Sequence, residues 1–229
     1  MTAPITAISS MATRQLLADM VDQYAQATGQ PVAVESVGGV DAARRVEAGE
    51  AFDVVVLAAN AIDKLITAGH VVAGSRIDVV SSGVAVAVRT GAPRPDLGDE
   101  EAVKQAVLAA RSISYSTGPS GVALMKLFER WGIADTLRER IVQAPPGVPV
   151  GTLVAEGKVE LGFQQLSELI HLDGIDVLGP LPDAIQVVTT FSAGLAAAAT
   201  QPEAARAWMA FLAAPEATEA KRRNGMAPA

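Results

Sequence analysis

Three stretches of this chain place hydroxyls, glycines or amides where an apolar strand gives way to a helix. Ser9-Ser10 follow Ile5-Thr6-Ala7-Ile8 and precede the helical run Thr13-Arg14-Gln15-Leu16-Leu17. Ser36-Val37-Gly38-Gly39 follow Val32-Ala33-Val34-Glu35 and precede Asp41-Ala42-Ala43-Arg44-Arg45-Val46. Ser116-Thr117-Gly118-Pro119-Ser120-Gly121 follow Ser112-Ile113-Ser114-Tyr115 and lead into a helix reaching Trp131. Each junction aims unpaired backbone N–H groups beyond the strand end, where the positive end of the helix dipole favours negative charge. The chemistry expected is capture of a small anion.

Each candidate has a plainer role beside the functional one. Ser9 and Ser10 either hold the ligand or supply the cap of the first helix. Gly38 and Gly39 either let backbone approach the ligand or make a tight turn before Asp41. Two glycines are no dinucleotide fingerprint. Ser116, Thr117 and Ser120 line an anion nest, with capping as the other role for Ser120. No Lys-Ser or Lys-Thr closes that loop, which argues against a nucleotide phosphate site.

Gln164-Gln165 follow the apolar run Leu161-Gly162-Phe163, and neighbours on a strand point to opposite faces. One amide, assigned to Gln165, then faces the ligand while the other bonds to backbone. Arg14 and Arg44 lie near helix starts and can pair with a carboxylate. Arg45 and the run Lys221-Arg222-Arg223 read as surface charge. Glu35 is the carboxylate best placed for a general base, or else an exposed strand-end residue. Pro145-Pro146-Gly147-Val148-Pro149 precedes a short helix near Thr152 and would bring a further helix N-terminus to the ligand. Asp99-Glu100-Glu101 stabilises a helix dipole.

Composition narrows the function classes. Cysteine is absent, which removes disulfides, thiolate metal sites and cysteine nucleophiles. The two histidines, His70 and His171, read as loop or helix-end residues and leave little material for a His metal site or a Ser-His-Asp triad. No metal and no cofactor are expected. The net charge of −7 and the 4% aromatic content oppose nucleic acid and acidic membranes as partners. No run is long and apolar enough to span a bilayer, so membrane insertion is not expected. The start Met1-Thr2-Ala3-Pro4 has no basic n-region, so the chain as written is expected in the cytoplasm, and in the periplasm if a leader has been removed.

The elements that must position these residues alternate along the chain. Asp53-Val54-Val55-Val56-Leu57 reads as a buried strand with a helix over Ile62–Ile66 behind it, closed by Gly69, and Gly74 marks a turn. Gly83–Val88 reads as a strand buried on both faces, as in parallel sheets. Thr90–Asp96 is a loop and Glu100–Ala110 a helix. Further strands are expected over Leu161–Gln164 and Ile185–Phe191. Helices follow over Pro202–Ala213, with Trp208, Phe211 and Leu212 on one face, and over Glu216–Arg223. Two long strands, near 83–89 and 185–191, then join two α/β sets. Lobe 1 would comprise 1–82 and 192–229 and lobe 2 would comprise 83–191, with a ligand cleft between them at the carboxyl ends of the strands.

Nearly the whole chain resembles the type II periplasmic solute-binding proteins, in the molybdate-binding-protein-like branch. The resemblance is carried by Ile8-Ser9-Ser10-Met11-Ala12-Thr13, by Val46-Glu47-Ala48-Gly49-Glu50-Ala51-Phe52-Asp53-Val54, by Ser120-Gly121, by Leu161-Gly162-Phe163-Gln164 and by Phe211-Leu212-Ala213-Ala214-Pro215-Glu216. It implies a two-lobed α/β fold with two crossover strands. In molybdate binders of this family, loop serines, backbone amides and a tyrosine hydroxyl grip the oxyanion. Here Ala12 stands at the first-loop position, Gly38 and Gly39 replace the second-loop serines, and Gln165 stands near the tyrosine. These departures turn the expectation from molybdate or tungstate to a larger, planar organic anion.

A sub-branch of aconitate isomerases is resembled more closely, through Leu161-Gly162-Phe163-Gln164-Gln165-Leu166-Ser167-Glu168-Leu169, Val71-Val72-Ala73-Gly74-Ser75-Arg76 and Phe191-Ser192-Ala193-Gly194. Those enzymes shift a double bond in a tricarboxylate without a cofactor. The expected function is binding of a small organic polycarboxylate. The alternatives are an aconitate-isomerase-type enzyme, with Glu35 moving the allylic proton, and an oxyanion receptor working with an ABC transporter permease.

Overall fold

Valine- and alanine-rich runs, bounded by glycines and followed by amphipathic helices, set an alternating β/α order. The computed structural model describes residues 2–145 and 147–229. Along the chain come β1 (Ile5–Ser10), a 3-10 turn (Met11–Thr13), α1 (Arg14–Thr28), β2 (Val32–Val37), α2 (Gly39–Glu47), β3 (Val54–Ala58), α3 (Ala59–Thr67) and β4 (Ile77–Arg89). Then follow α4 (Glu100–Ala109), β5 (Ile113–Tyr115), α5 (Pro119–Arg130), α6 (Ala134–Leu137), α7 (Val150–Ala155), β6 (Leu161–Gln165), α8 (Leu166–Leu169) and β7 (Ile175–Pro180). The chain finishes with β8 (Val188–Leu195), α9 (Pro202–Ala213), α10 (Thr218–Arg223) and β9 (Ala227–Pro228). Two units result: residues up to Ser82 with Thr190–Ala229, and Gly83–Thr189. No helix among the described residues is long and apolar enough to cross a membrane.

In the first unit β1 pairs in parallel with β2 and β3, and β3 pairs antiparallel with β8. The sheet is covered on both faces. One face packs Leu16, Leu17, Met20, Trp208, Met209 and Leu212 from α1 and α9. The other packs Ala42, Val46, Ile62 and Leu65 from α2 and α3. Tyr24 and Phe211 stack edge to face at 5.1 Å, which seats α9 on α1. Asp53, just ahead of β3, is buried. It accepts from the N–H groups of Thr6 (2.9 Å), Thr200 (2.7 Å) and Gln201 (3.0 Å) and from the Thr6 hydroxyl (3.0 Å). Burial pushes its pKa up, but these donors outweigh that and hold it below the usual value. The Glu-Ala-Gly…Asp-Val signature is thus structural: Gly49 turns the chain at φ 86° and Asp53 ties β1 to the segment after β8.

In the second unit β5 pairs in parallel with β6, while β4 pairs antiparallel with β6 and β7. Its core gathers Val84, Val86, Val107, Leu124, Phe128 and Phe163. Phe128 makes edge contacts with Tyr115 and Phe163, at 6.3 Å in each case. A smaller cluster on the opposite face holds Val150, Leu153, Val154 and Val159.

Several elements differ from the sequence expectation. The strand expected at Gly83–Val88 starts at Ile77, and its ladders are antiparallel, because burial on both faces leaves the same Val/Ala run whichever way the neighbour points. The strand expected at Ile185–Phe191 is displaced. Asp183–Ile185 is a 3-10 turn, and the strand begins at Val188. Gln186 explains the shift: its Oε1 accepts from Val84 N–H (2.9 Å) and Val187 N–H (2.8 Å), and its Nε2 donates to Leu181 C=O (3.2 Å), so a side chain takes the place of ladder partners. Pro119, Ser120 and Gly121 belong to α5 rather than to the loop before it. β7 and α8 lack an expectation, since Gly174, Asp176 and Gly179 break the apolar run. Met1 and Pro146 lie outside the described residues, so the readings of the N-terminal start and of the proline-rich run extend beyond them.

Candidate anion-binding edges

Parallel strands end along one edge, so whatever follows them is brought together. In the first unit the carboxyl ends of β1, β2 and β3 are Ser10, Val37 and Ala58, and α2 and α3 start directly beyond the last two. The N-caps Gly38 and Ala58 turn the chain alike, with φ −54° and ψ 135° and 138°, and neither supplies a side-chain cap. Contrast α4, whose N-cap Asp99 accepts from Ala102 N–H at 2.8 Å. The first-turn N–H groups of α2 and α3 are therefore left for another acceptor.

Ser10 adds a hydroxyl to this edge. It is only 6% exposed, and its Oγ has no hydrogen-bond partner among the described residues. A Cβ on Gly39 would lie 3.5 Å from Ser10 Cβ, so the hydroxyl borders the start of α2. Leaving such a group unpaired costs about 1–3 kcal/mol, a cost that an acceptor ligand removes. Ser9 differs. Its Oγ pairs with Ser36 Oγ at 2.7 Å across the β1–β2 ladder, and neither serine caps the following helix. Arg14 is exposed in the first turn of α1. Arg44 bonds Asp41 at 3.2 Å in the first turn of its own helix.

Glu35 is turned from the role expected of it. Arg45 donates to both of its oxygens, at 2.5 and 2.9 Å, and also pairs with Glu50. The guanidinium hydrogen bond lowers the Glu35 pKa, which makes it a poorer base. Arg45 is accordingly the hub of an ion-pair network laid over Phe52 rather than free surface charge.

In the second unit β5 and β6 end at Tyr115 and Gln165 along one edge. Beyond β5, α5 begins with N-cap Gly118, again without a side-chain cap. Ser116 Oγ and Ser120 Oγ bond each other at 2.9 Å, and Thr117 is exposed. Ser120 lies inside the first turn, so it does not cap. The loop is drawn tight onto the helix: a Cβ on Gly121 would sit 1.6 Å from Ser116 O. Beyond β6, Gln165 donates through Nε2 to Thr189 Oγ1 at 2.9 Å, while its Oε1, fully buried, has no partner among the described residues.

Gln164 faces the other way, as the strand alternation requires, yet only half of its bonding is to backbone. Its Oε1 accepts from Gly151 N–H at 3.3 Å and its Nε2 donates to Glu168 Oε1 at 2.9 Å. Burial pushes the Glu168 carboxyl up to about 7, against a smaller lowering by the Gln164 hydrogen bond. Sequence reasoning passed over Glu168, although it is the one carboxylate in the run Leu161–Leu169. It also passed over the start of α3, where Leu57-Ala58-Ala59 joins strand to helix with no polar loop to mark the junction.

Comparison with known proteins agrees with this architecture. Residues 5–227 match the family model of the bacterial extracellular solute-binding proteins. An aconitate isomerase from Pseudomonas sp. is 37% identical over 230 residues, covering 98% of this chain and 87% of that protein. Among solved structures, the periplasmic molybdate-binding protein of Azotobacter vinelandii superposes with a TM-score of 0.80 at 22% identity, over 97% of this chain and 98% of that one. The sulfate-binding protein SubI of Mycobacterium tuberculosis superposes with a TM-score of 0.79 at 17% identity, over 99% and 87%. At such identities the two structures speak to the fold alone. With a family match over almost its full length, this chain belongs to the bacterial extracellular solute-binding protein family.

Proposed function

We propose that this protein binds a small polycarboxylate and moves its double bond, an aconitate-isomerase-type activity. The observation that carries the reading is the 37% identity to an aconitate isomerase over 98% of the chain. The donor sets support it. Uncapped helix starts, the unpartnered Ser10 hydroxyl and the second Nε2 hydrogen of Gln165, beside the one given to Thr189, suit an anion with several oxygens. On this reading Ser10, Gly38 and Gly39 make a carboxylate-receiving donor set in the first unit, where Arg14 supplies opposing charge, and Ser116, Thr117, Ser120 and Gln165 make one in the second unit. The same donors stabilise the dienolate that forms when an allylic proton leaves.

A second reading, delivery of the anion to a transporter, is favoured by the family match itself. Thermal denaturation with cis-aconitate, trans-aconitate, citrate, molybdate and sulfate tests the ligand class. The tricarboxylates should raise the melting temperature, by the equivalent of about 2.7 kcal/mol at a hundredfold excess over Kd. Stabilisation by molybdate or sulfate alone would overturn the polycarboxylate reading.

A further inference from the structure

We propose that Glu168 is the catalytic acid–base group, taking the allylic proton from one carbon of the bound polycarboxylate and returning it to the other. The inference rests on the isomerase reading. Its geometry is that of a carboxyl with one oxygen anchored and the other free. Glu168 Oε1 accepts from Gln164 Nε2 at 2.9 Å, and Gln164 is itself fixed by Gly151 N–H at 3.3 Å. Glu168 Oε2 makes no hydrogen bond among the described residues, and no cation there pairs with the carboxylate. A partly buried carboxyl with no counter-charge is costly as a structural element. Its place is informative too: Gln164 sets the carboxyl near Gly151 in the first turn of α7, on the face of β6 opposite to Gln165, and α8 leaves the carboxyl end of β6 at the edge that also carries the Ser116–Ser120 turn beyond β5.

The electrostatic surroundings are simple. β6 and α7, which pack against α8, carry no ionisable residue. β4 carries Arg89 on the side of Gly157, and β7 carries Asp176, which accepts from Gly91 N–H. His171 and Asp173 follow α8 in sequence. None of these perturbs the carboxyl, whose pKa of about 7 comes from burial, with Gln164 opposing. A group that titrates there both accepts and returns a proton at neutral pH. The step balances without a co-reactant. The Glu168 carboxylate takes H⁺ from the methylene, and the C–H electron pair shifts into the conjugated carboxylate. The protonated Glu168 then delivers H⁺ to the far alkene carbon, leaving the double bond moved by one position.

The test compares wild type, Glu168→Gln and Glu168→Asp for isomerisation by proton NMR and for aconitate affinity by calorimetry. Glu168→Gln should slow turnover at least about 100-fold while its Kd stays within about threefold. Glu168→Asp should keep the affinity with an intermediate rate, and the wild-type rate should rise through pH 7 along a limb that Glu168→Gln lacks. If Glu168→Gln turns over at the wild-type rate, the assignment falls and the isomerase reading stands. If aconitate binding is lost in both variants, Glu168 is a binding or structural residue and the assignment falls. If the wild type binds aconitate without turning it over, the isomerase reading falls and takes the assignment with it.

Discussion

Ser10 separates stability from function at the scale of one atom. Its hydroxyl is buried without a partner, so deleting it removes a desolvation cost from the ligand-free protein. Ser10→Ala should leave the melting temperature unchanged or slightly raised, yet weaken tricarboxylate affinity about tenfold. A fall in stability with unchanged affinity, measured by calorimetry and thermal denaturation, would contradict that. Glu168 makes a parallel prediction through pH. Its carboxyl ionises near 4.5 when exposed and near 7 when folded, so between those values the folded chain holds more protons than the unfolded one. Its contribution is therefore full below pH 4.5 and is lost as pH rises through 7. Glu168→Gln should then melt above wild type at pH 8, by up to about 3 kcal/mol in stability, and the two should converge near pH 4.5. Ser9 and Glu35 show the limit of reading single residues. Their types suit a site, but Ser36 and Arg45, distant enough in sequence to be invisible as partners, engage them.

At the scale of elements, the strand-to-helix junctions were legible because serines and glycines mark them. What was not legible was how the junctions close. Ser9, Ser10, Ser36 and Val37 complete strands instead of forming loops, and Gly39 is already helical. The unmarked start of α3 escaped notice because its N-cap is an alanine. Two glycines respond differently to a methyl group. At Gly39 the added carbon meets Ser10 Cβ at an ordinary 3.5 Å, so Gly39→Ala should fold normally and weaken anion binding. At Gly121 it meets Ser116 O at 1.6 Å, so Gly121→Ala must displace the turn and should cost about 1–3 kcal/mol in stability. Equal stabilities for the two variants in urea unfolding would contradict this account of the Ser116–Gly121 turn. The misplaced strand near residue 185 has the same origin as Ser9: Gln186 bonds to backbone far away in sequence, which no local pattern announces.

For the whole molecule, alternation of apolar runs and helices was enough to fix an α/β class, and the resemblance of particular runs to solute-binding proteins agrees with the family match. The direction of the ladders on β4 was not readable, since a run of valine and alanine serves parallel and antiparallel neighbours equally. Charge at this scale is also uninformative about the site. A chain of net charge −7 still presents helix starts and hydroxyls suited to an anion, because local donors act over the length of a hydrogen bond. The decisive measurement is a proton NMR time course of trans-aconitate with the wild-type protein, repeated from cis-aconitate. Isomerisation predicts that both mixtures converge on one cis:trans ratio. Spectra that stay unchanged while calorimetry shows the ligand bound would contradict it.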